Sequence, residues 1–206
     1  MANSLPFVVL AAFTNNVAHG NPAAVVFLKE DLSKDVLKTI AGNLNQPITA
    51  FISQRIDDNV IDMNSATFDI RYFIGPDPQL EAPLCGHGTL AAAHAIFADG
   101  KLAREGVEVL KFQTMTRGVV IARKAEGGVV EMELPQGTVD DIAEEEQEKL
   151  KTVLMKAMKV DKSAIKYMEK GIDFFKDYLM VEVDEKVDVG ALKMDFTELV
   201  SLCWTK

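Results

Sequence analysis

The chain opens with apolar runs that are too short for helices and are bounded by turn residues. Residues 6–13 and 22–28 are rich in Val, Phe, Leu and Ala, while Asn15, Asn16, His19 and Gly20 separate them, so both are predicted to be strands. The period then changes. From Ser33 onward, Val36, Leu37, Ile40, Ala41 and Leu44 fall on one stripe with helical spacing, and Ser33 is a suitable cap for that helix. Strands are predicted again at 49–53 and 67–74, the second placing Phe68, Ile70, Tyr72 and Ile74 on one face. Gly75-Pro-Asp-Pro78 reads as a loop.

The next segment has almost no polar face. Leu84-Cys-Gly-His-Gly-Thr-Leu90 leads into Ala91-Ala-Ala-His-Ala-Ile-Phe-Ala98, and a helix apolar all round must be surrounded by other structure. Strands are predicted at 107–115, 118–124 and 129–134, the last two forming a hairpin about Glu126-Gly-Gly128. Residues 140–158 read as one helix with Leu150, Val153, Leu154, Ala157 and Met158 inward and an acidic first turn that complements its dipole. A strand at 178–183 and a capping box at Asp195 and Glu198 complete the pattern. Strands outnumber helices, and consecutive strands mostly lie too close for crossover helices. The expected fold class is therefore α+β, an antiparallel sheet curled around a central apolar helix. No linker or repeat divides the chain, so residues 1–206 are expected to form a single domain.

Composition narrows the function. A chain of 206 residues, 48% hydrophobic and 26% charged, can bury a substantial core. A net charge of −9 argues against nucleic acid and anionic membranes as partners. Cys85 and Cys203 are too few for a disulfide framework, the first residues lack the basic cluster of a secretory signal, and no apolar run approaches bilayer-spanning length. The sequence reading is thus a cytoplasmic protein whose partner is a small molecule.

Three stretches carry a family resemblance: Ala12-Phe-Thr14 with Gly20-Asn-Pro-Ala-Ala-Val-Val26, Thr49-Ala-Phe-Ile52, and Ile70-Arg-Tyr-Phe73 followed by Glu81-Ala-Pro-Leu-Cys-Gly-His-Gly-Thr-Leu-Ala91. In this order they resemble the PhzF-like phenazine-biosynthesis proteins of the diaminopimelate-epimerase superfamily. The resemblance implies two pseudo-symmetric halves with a cleft between them, and a glutamate that moves a proton on a small unsaturated substrate. Two departures stand out. Pro47-Ile-Thr-Ala-Phe51 places Ile48 where the family pattern has that glutamate, and no run like the second half's Asp-Pro-Val-Thr-Gly-Ser appears. The chain is accordingly read as a first half, with the second half expected to be missing and a second copy, in a homodimer, expected to supply its place.

His87 is the leading catalytic candidate, a titratable imidazole beside the unpaired amides of a helix start, with Gly86 next to it. Asn21, Ile48, Gly88 and Glu81 are candidates for contacting substrate: Asn21 as a turn donor, Ile48 as an apolar wall, Gly88 as a close approach, Glu81 as a carboxylate that matches a family glutamate. Asp77 is a further carboxylate in that loop, and Asp69 and Arg71 are expected to pair across a strand face. His94 is expected in the core and His19 in a surface turn. No metal-ligand spacing and no nucleotide-binding glycine loop occurs, so no metal or cofactor is expected. The residues leave two functions open. One is a cofactor-free isomerase or cyclase of secondary metabolism acting on a small, apolar or unsaturated metabolite without the family's glutamate. The other is a non-catalytic remnant that binds a ligand or a protein.

Overall fold

The apolar runs become strands of one curled sheet. They are β1 (Phe7–Ala12), β2 (Asn21–Leu28), β3 (Ile48–Gln54), β4 (Ser65–Phe73), β5 (Glu81–Ala82), β6 (Val109–Gln113), β7 (Val119–Lys124) and β8 (Val130–Glu133). Two helices are interleaved with them, α1 (Lys34–Leu44), capped by the Ser33 hydroxyl, and α2 (Gly86–Asp99). The computed structural model describes residues 4–200 apart from 17, 56–63, 76, 78–79, 100–101, 104 and 177. Cys203 therefore lies outside the described residues.

The strand order is β1-β2-β3-β4-β6-β7-β8, with β5 attached to the end of β4. The sheet is mixed rather than antiparallel throughout, because β2 and β3 run parallel and so do β4 and β6. Helices supply both crossovers that short connections were expected to exclude, α1 between β2 and β3 and α2 between β4 and β6. Both crossovers step the same way along the sheet, but the second strand pair points opposite to the first. One common crossover handedness then puts α1 and α2 on opposite faces.

Each face has its own core. Ile48, Ala50 and Ile52 of β3, Phe68, Ile70 and Tyr72 of β4, and Leu110 and Phe112 of β6 pack on Ala91, Ala92, Ala93 and Ile96 of α2. Phe51, Phe73 and Val26 point the other way, onto Leu37 and Ala41 of α1, and the two rings meet edge to face at 5.7 Å. Alanine is what lets the sheet close on α2 from several sides, since a small side chain brings backbone near backbone. The helix touches β1, β2 and β3 on one flank and β7 and β8 on the other.

The described residues divide into two compact units, Met1–Pro135 and Gln136–Lys206, where the sequence pattern suggested one body. The second unit has its own sheet and core. Its elements are β9 (Val139–Asp141), α3 (Glu144–Met158), β10 (Ile165–Gly171), β11 (Leu179–Val183) and α4 (Phe196–Leu199), the last capped by Asp195. Ile142, Leu154, Met158, Ile165 and Met168 form its core. Asp140 and Asp141 belong to β9, paired with Lys170 and Glu169, so α3 starts four residues later than the acidic run suggested. The sequence pattern did not reveal β10 because a register shift between Ile165 and Tyr167 breaks its period-two alternation. No helix among the described residues is long and apolar enough to cross a membrane.

Close packing on α2 makes two substitutions informative. Phe112→Ala, at a fully buried position, is expected to cost about 3–5 kcal/mol. Ala92→Leu, also fully buried, is expected to cost about 1–3 kcal/mol by overpacking. Urea unfolding followed by fluorescence and circular dichroism measures both.

Candidate functional site

The start of α2 is tied to the sheet by a short chain of hydrogen bonds. The Cys85 carbonyl accepts from the Thr89 amide at 3.0 Å and from the Thr89 hydroxyl at 2.8 Å. The Thr89 hydroxyl in turn lies 2.6 Å from the Tyr72 hydroxyl of β4, so strand and helix start are locked together inside the core. Burial drives the Tyr72 phenol far above its ordinary range, against the pull of Thr89, and it stays protonated.

The Cys85 side chain also sits at this helix start. Burial raises its thiol, while hydrogen bonds from the Gly88 and His87 amides pull the other way without overcoming that effect. Two of the amides expected to hold a substrate oxygen are thus directed at the thiol. His87 is half-buried, and its Nδ1 lies 3.3 Å from the Cys85 sulfur. Its Nε2 is shielded from solvent and has no hydrogen-bond partner. Burial lowers the affinity of this imidazole for a proton below the ordinary value of 6.5, so it is neutral at physiological pH. With Nδ1 at the sulfur, a ring nitrogen is left to donate or accept in chemistry.

The other candidates are distributed around this turn and away from it. Gly86 opens α2, and a side chain there would meet only Leu134 Cδ1 at 3.9 Å, so space adjoins it. Gly88 is different. A Cβ on it would come within 3.3–3.4 Å of Ile48, Tyr72 and Cys85, so its lack of a side chain serves packing. Ile48 is only 3% exposed and belongs to the core under α2. Asn21 is exposed at the start of β2, two positions before Ala23, the strand neighbour of Ile48. It sits at the same end of the sheet.

Glu81 sits on the opposite face. It pairs with Phe73, a residue of the α1 side, and its carboxylate receives Arg71 at 2.7 and 3.0 Å and Lys34 at 2.8 Å. Partial burial pushes the Glu81 carboxyl up, but Arg71 and Lys34 together outweigh it and hold the group below its usual range. A committed, ionised carboxylate of this kind anchors the loop before α2 and is a poor proton carrier. Arg71 also lies 5.3 Å from the Phe73 ring. Asp69 pairs with Arg55 at 2.7 Å instead of with Arg71, whose guanidinium is committed to Glu81. Asp77 is exposed in its loop, and His19 is exposed as expected.

His94 corrects the sequence reading. It is exposed and lines two cavities along α2, one of about 170 Å³ between β1 and the start of β8, the other of about 420 Å³ beneath Phe7 and Val8. The sheet does not close over this side of the helix. The roles of Thr89 and Tyr72 were also not evident from sequence, although the alternation of β4 does place Tyr72 on the α2 face.

The chain as a whole is similar to known proteins. The family model described as phenazine biosynthesis-like protein matches residues 10–206. A bovine phenazine biosynthesis-like domain-containing protein is 40% identical over 131 residues, covering 64% of this chain and 42% of the relative. An uncharacterized isomerase of Halalkalibacterium halodurans is 29% identical over 194 residues, 94% of this chain and 63% of the relative. Among solved structures, a PhzF-family phenazine biosynthesis protein of Enterococcus faecalis superposes with a TM-score of 0.67 at 25% identity, covering 96% of this chain and 64% of that one. In each comparison the chain spans less than two thirds of the relative's length.

Two measurements follow from the geometry. A group whose proton affinity is depressed on folding stabilises the fold above its unfolded pKa and loses that contribution as pH falls. Stability is therefore expected to decline below about pH 6.5, with His87→Gln removing that part of the slope in urea midpoints measured across the range. Arg71→Ala, which strips the bidentate partner from Glu81, is expected to cost about 1–3 kcal/mol in the same assay at neutral pH.

Proposed function

From the premise that this chain belongs to the phenazine biosynthesis-like family, which its sequence matches over residues 10–206, we propose that it is a cofactor-free isomerase or cyclase acting on a small unsaturated metabolite. The bacterial relative named as an isomerase supports the reaction class. The observation that carries the reading is the state of His87. A neutral imidazole stands at the mouth of a helix start, with Nδ1 at a thiol and Nε2 shielded and unpartnered. In water such a nitrogen would be solvated; here a substrate group would satisfy it.

In this reading Ile48 stands at the position of the family's proton-carrying glutamate. It is packed in the core at the Gly88 contact, and Glu81 is held by Arg71 and Lys34 on the other face. The reaction then uses His87 alone to polarise a carbonyl or shift a proton, and the space beside Gly86 receives the substrate. With Ile48 buried and Glu81 committed, no second acid is at hand, and holding the substrate in a reactive fold beside Gly86 contributes rate without one.

The same two facts, a hydrocarbon at 48 and a committed Glu81, favour a second reading in which the turn binds a ligand without turning it over. Incubation with small α,β-unsaturated acids in deuterated water separates the two. Isomerisation is expected to bring solvent deuterium into the substrate, and His87→Ala to slow that uptake by about a hundredfold or more while leaving the circular dichroism spectrum unchanged. Equal uptake with and without His87 would overturn the assignment, and saturable binding without uptake would establish the second reading.

A further inference from the structure

The face of the sheet turned away from α2 holds a cavity of about 520 Å³, a size that suits a small metabolite. Its floor is a row of polar side chains that the strand register sets side by side. Ser53 of β3 pairs with Asp69 of β4, and Asp69 pairs in turn with Gln113 of β6. All three face away from α2, since each is next in sequence to a residue of the α2 core, namely Ile52, Ile70 and Phe112. Leu28 and Leu32, on the approach to α1, form an apolar wall, backed by Leu37 and Phe51. On the β6 side stands the β6–β7 turn. There the Thr114 hydroxyl donates to the Gly118 carbonyl at 2.8 Å and accepts from the Arg117 amide at 2.8 Å, and Met115 lines the cavity. Floor and walls all belong to the first unit, so the cavity is built by secondary structure that is tied together locally.

Charge and spare hydrogen-bonding capacity together select what it would hold. Both arginines in the lining are committed: Arg55 donates to one oxygen of Asp69 at 2.7 Å, and Arg71 donates to both oxygens of Glu81. Asp31 and Asp69 balance these two cations within the lining, so a phosphate or a free carboxylate would have to break an existing pair to bind. The groups left over are mostly acceptors. They are the second oxygen of Asp69, the side-chain oxygen of Gln113, whose nitrogen donates to the Thr114 carbonyl at 3.0 Å, and the Ser53 hydroxyl. None of the three has a hydrogen-bond partner among the described residues. A carboxylate and an amide oxygen side by side accept from two neighbouring hydroxyl groups, as the acidic residue of dinucleotide sites does from ribose.

We infer that this cavity is a second small-molecule site, taking a neutral molecule that carries a vicinal diol and an apolar portion, the chemistry shared by nucleosides and aryl glycosides. The diol donates to Asp69 and Gln113, Ser53 completes the row, and the apolar portion lies along Leu28 and Leu32. The sheet itself separates this site from His87, and the inference is independent of the chemistry assigned there.

Calorimetry and ligand-observed NMR on the full chain test it with adenosine, phenyl glucoside, dideoxyadenosine and adenosine monophosphate. Adenosine or the glucoside is expected to bind saturably with a dissociation constant below about 1 mM, and the one that binds more tightly identifies the source. Dideoxyadenosine, which lacks the diol, is expected to bind about tenfold or more weakly than adenosine, and the monophosphate no more tightly. Asp69→Asn keeps the shape of the floor, and Ser53→Ala gives a second variant at the other end of the row. Each is expected to weaken binding, Asp69→Asn by about tenfold, while His87→Ala leaves it unchanged. Circular dichroism establishes that each variant is folded. Absence of saturable binding by both diols up to about 10 mM would overturn the proposal. So would equal binding of dideoxyadenosine, tighter binding of the monophosphate, or binding that is lost with His87→Ala and kept with Asp69→Asn.

Discussion

The packing of one alanine-rich helix against a sheet that bends around it is the constraint on which the rest depends. Ala91, Ala92, Ala93 and Ala95 bring the backbone of α2 close to strands on both of its flanks, and larger residues from those strands fill the remaining volume. Because the helix axis is fixed this tightly, its first turn is fixed as well. The Gly-His turn is thereby positioned without a long loop to hold it. Gly88 records how close the fit is, since even one added carbon would meet Ile48, Tyr72 and Cys85.

Polar interactions then finish what packing begins, one set on each face of the sheet. On the α2 face, Tyr72, Thr89 and the Cys85 carbonyl form a buried chain that registers strand against helix. On the α1 face, Lys34 and Arg71 grip Glu81, the residue that begins the approach to the turn. The alternation of β4 divides these roles, with Tyr72 facing one helix and Arg71 the other. What is left over at the helix start is a half-buried thiol beside the His87 ring and an imidazole nitrogen with no partner. The isomerase proposal rests on that residue of unspent hydrogen-bonding capacity.

The same constraint explains the incomplete enclosure of α2. The sheet contacts the helix from β1 round to β8, but among the described residues its edges do not pair, and His94 is exposed beside both. A helix with one imidazole in an otherwise apolar stretch reads as buried all round because periodicity reports composition, not coverage. For a related reason the antiparallel expectation was only partly met. Connection lengths exclude crossovers where they are short, but α1 and the segment through α2 are long enough to carry parallel pairs.

Several features were legible in the chain itself, where the signal is local. The strand and helix periods, the Ser33 and Asp195 caps, the β7–β8 hairpin and the motifs of the family signature all follow from residues within a few positions of one another. The α+β class follows from their order. Tertiary structure alone decided the rest, since it depends on which residues become neighbours across strands. It gave Glu81 to Arg71 and Lys34, removed Asp69 from Arg71, turned Gly88 from a ligand contact into a packing contact, and exposed His94. It also separated residues 136–206 into a unit with a sheet of its own, one strand of which a register shift had hidden from any periodic reading.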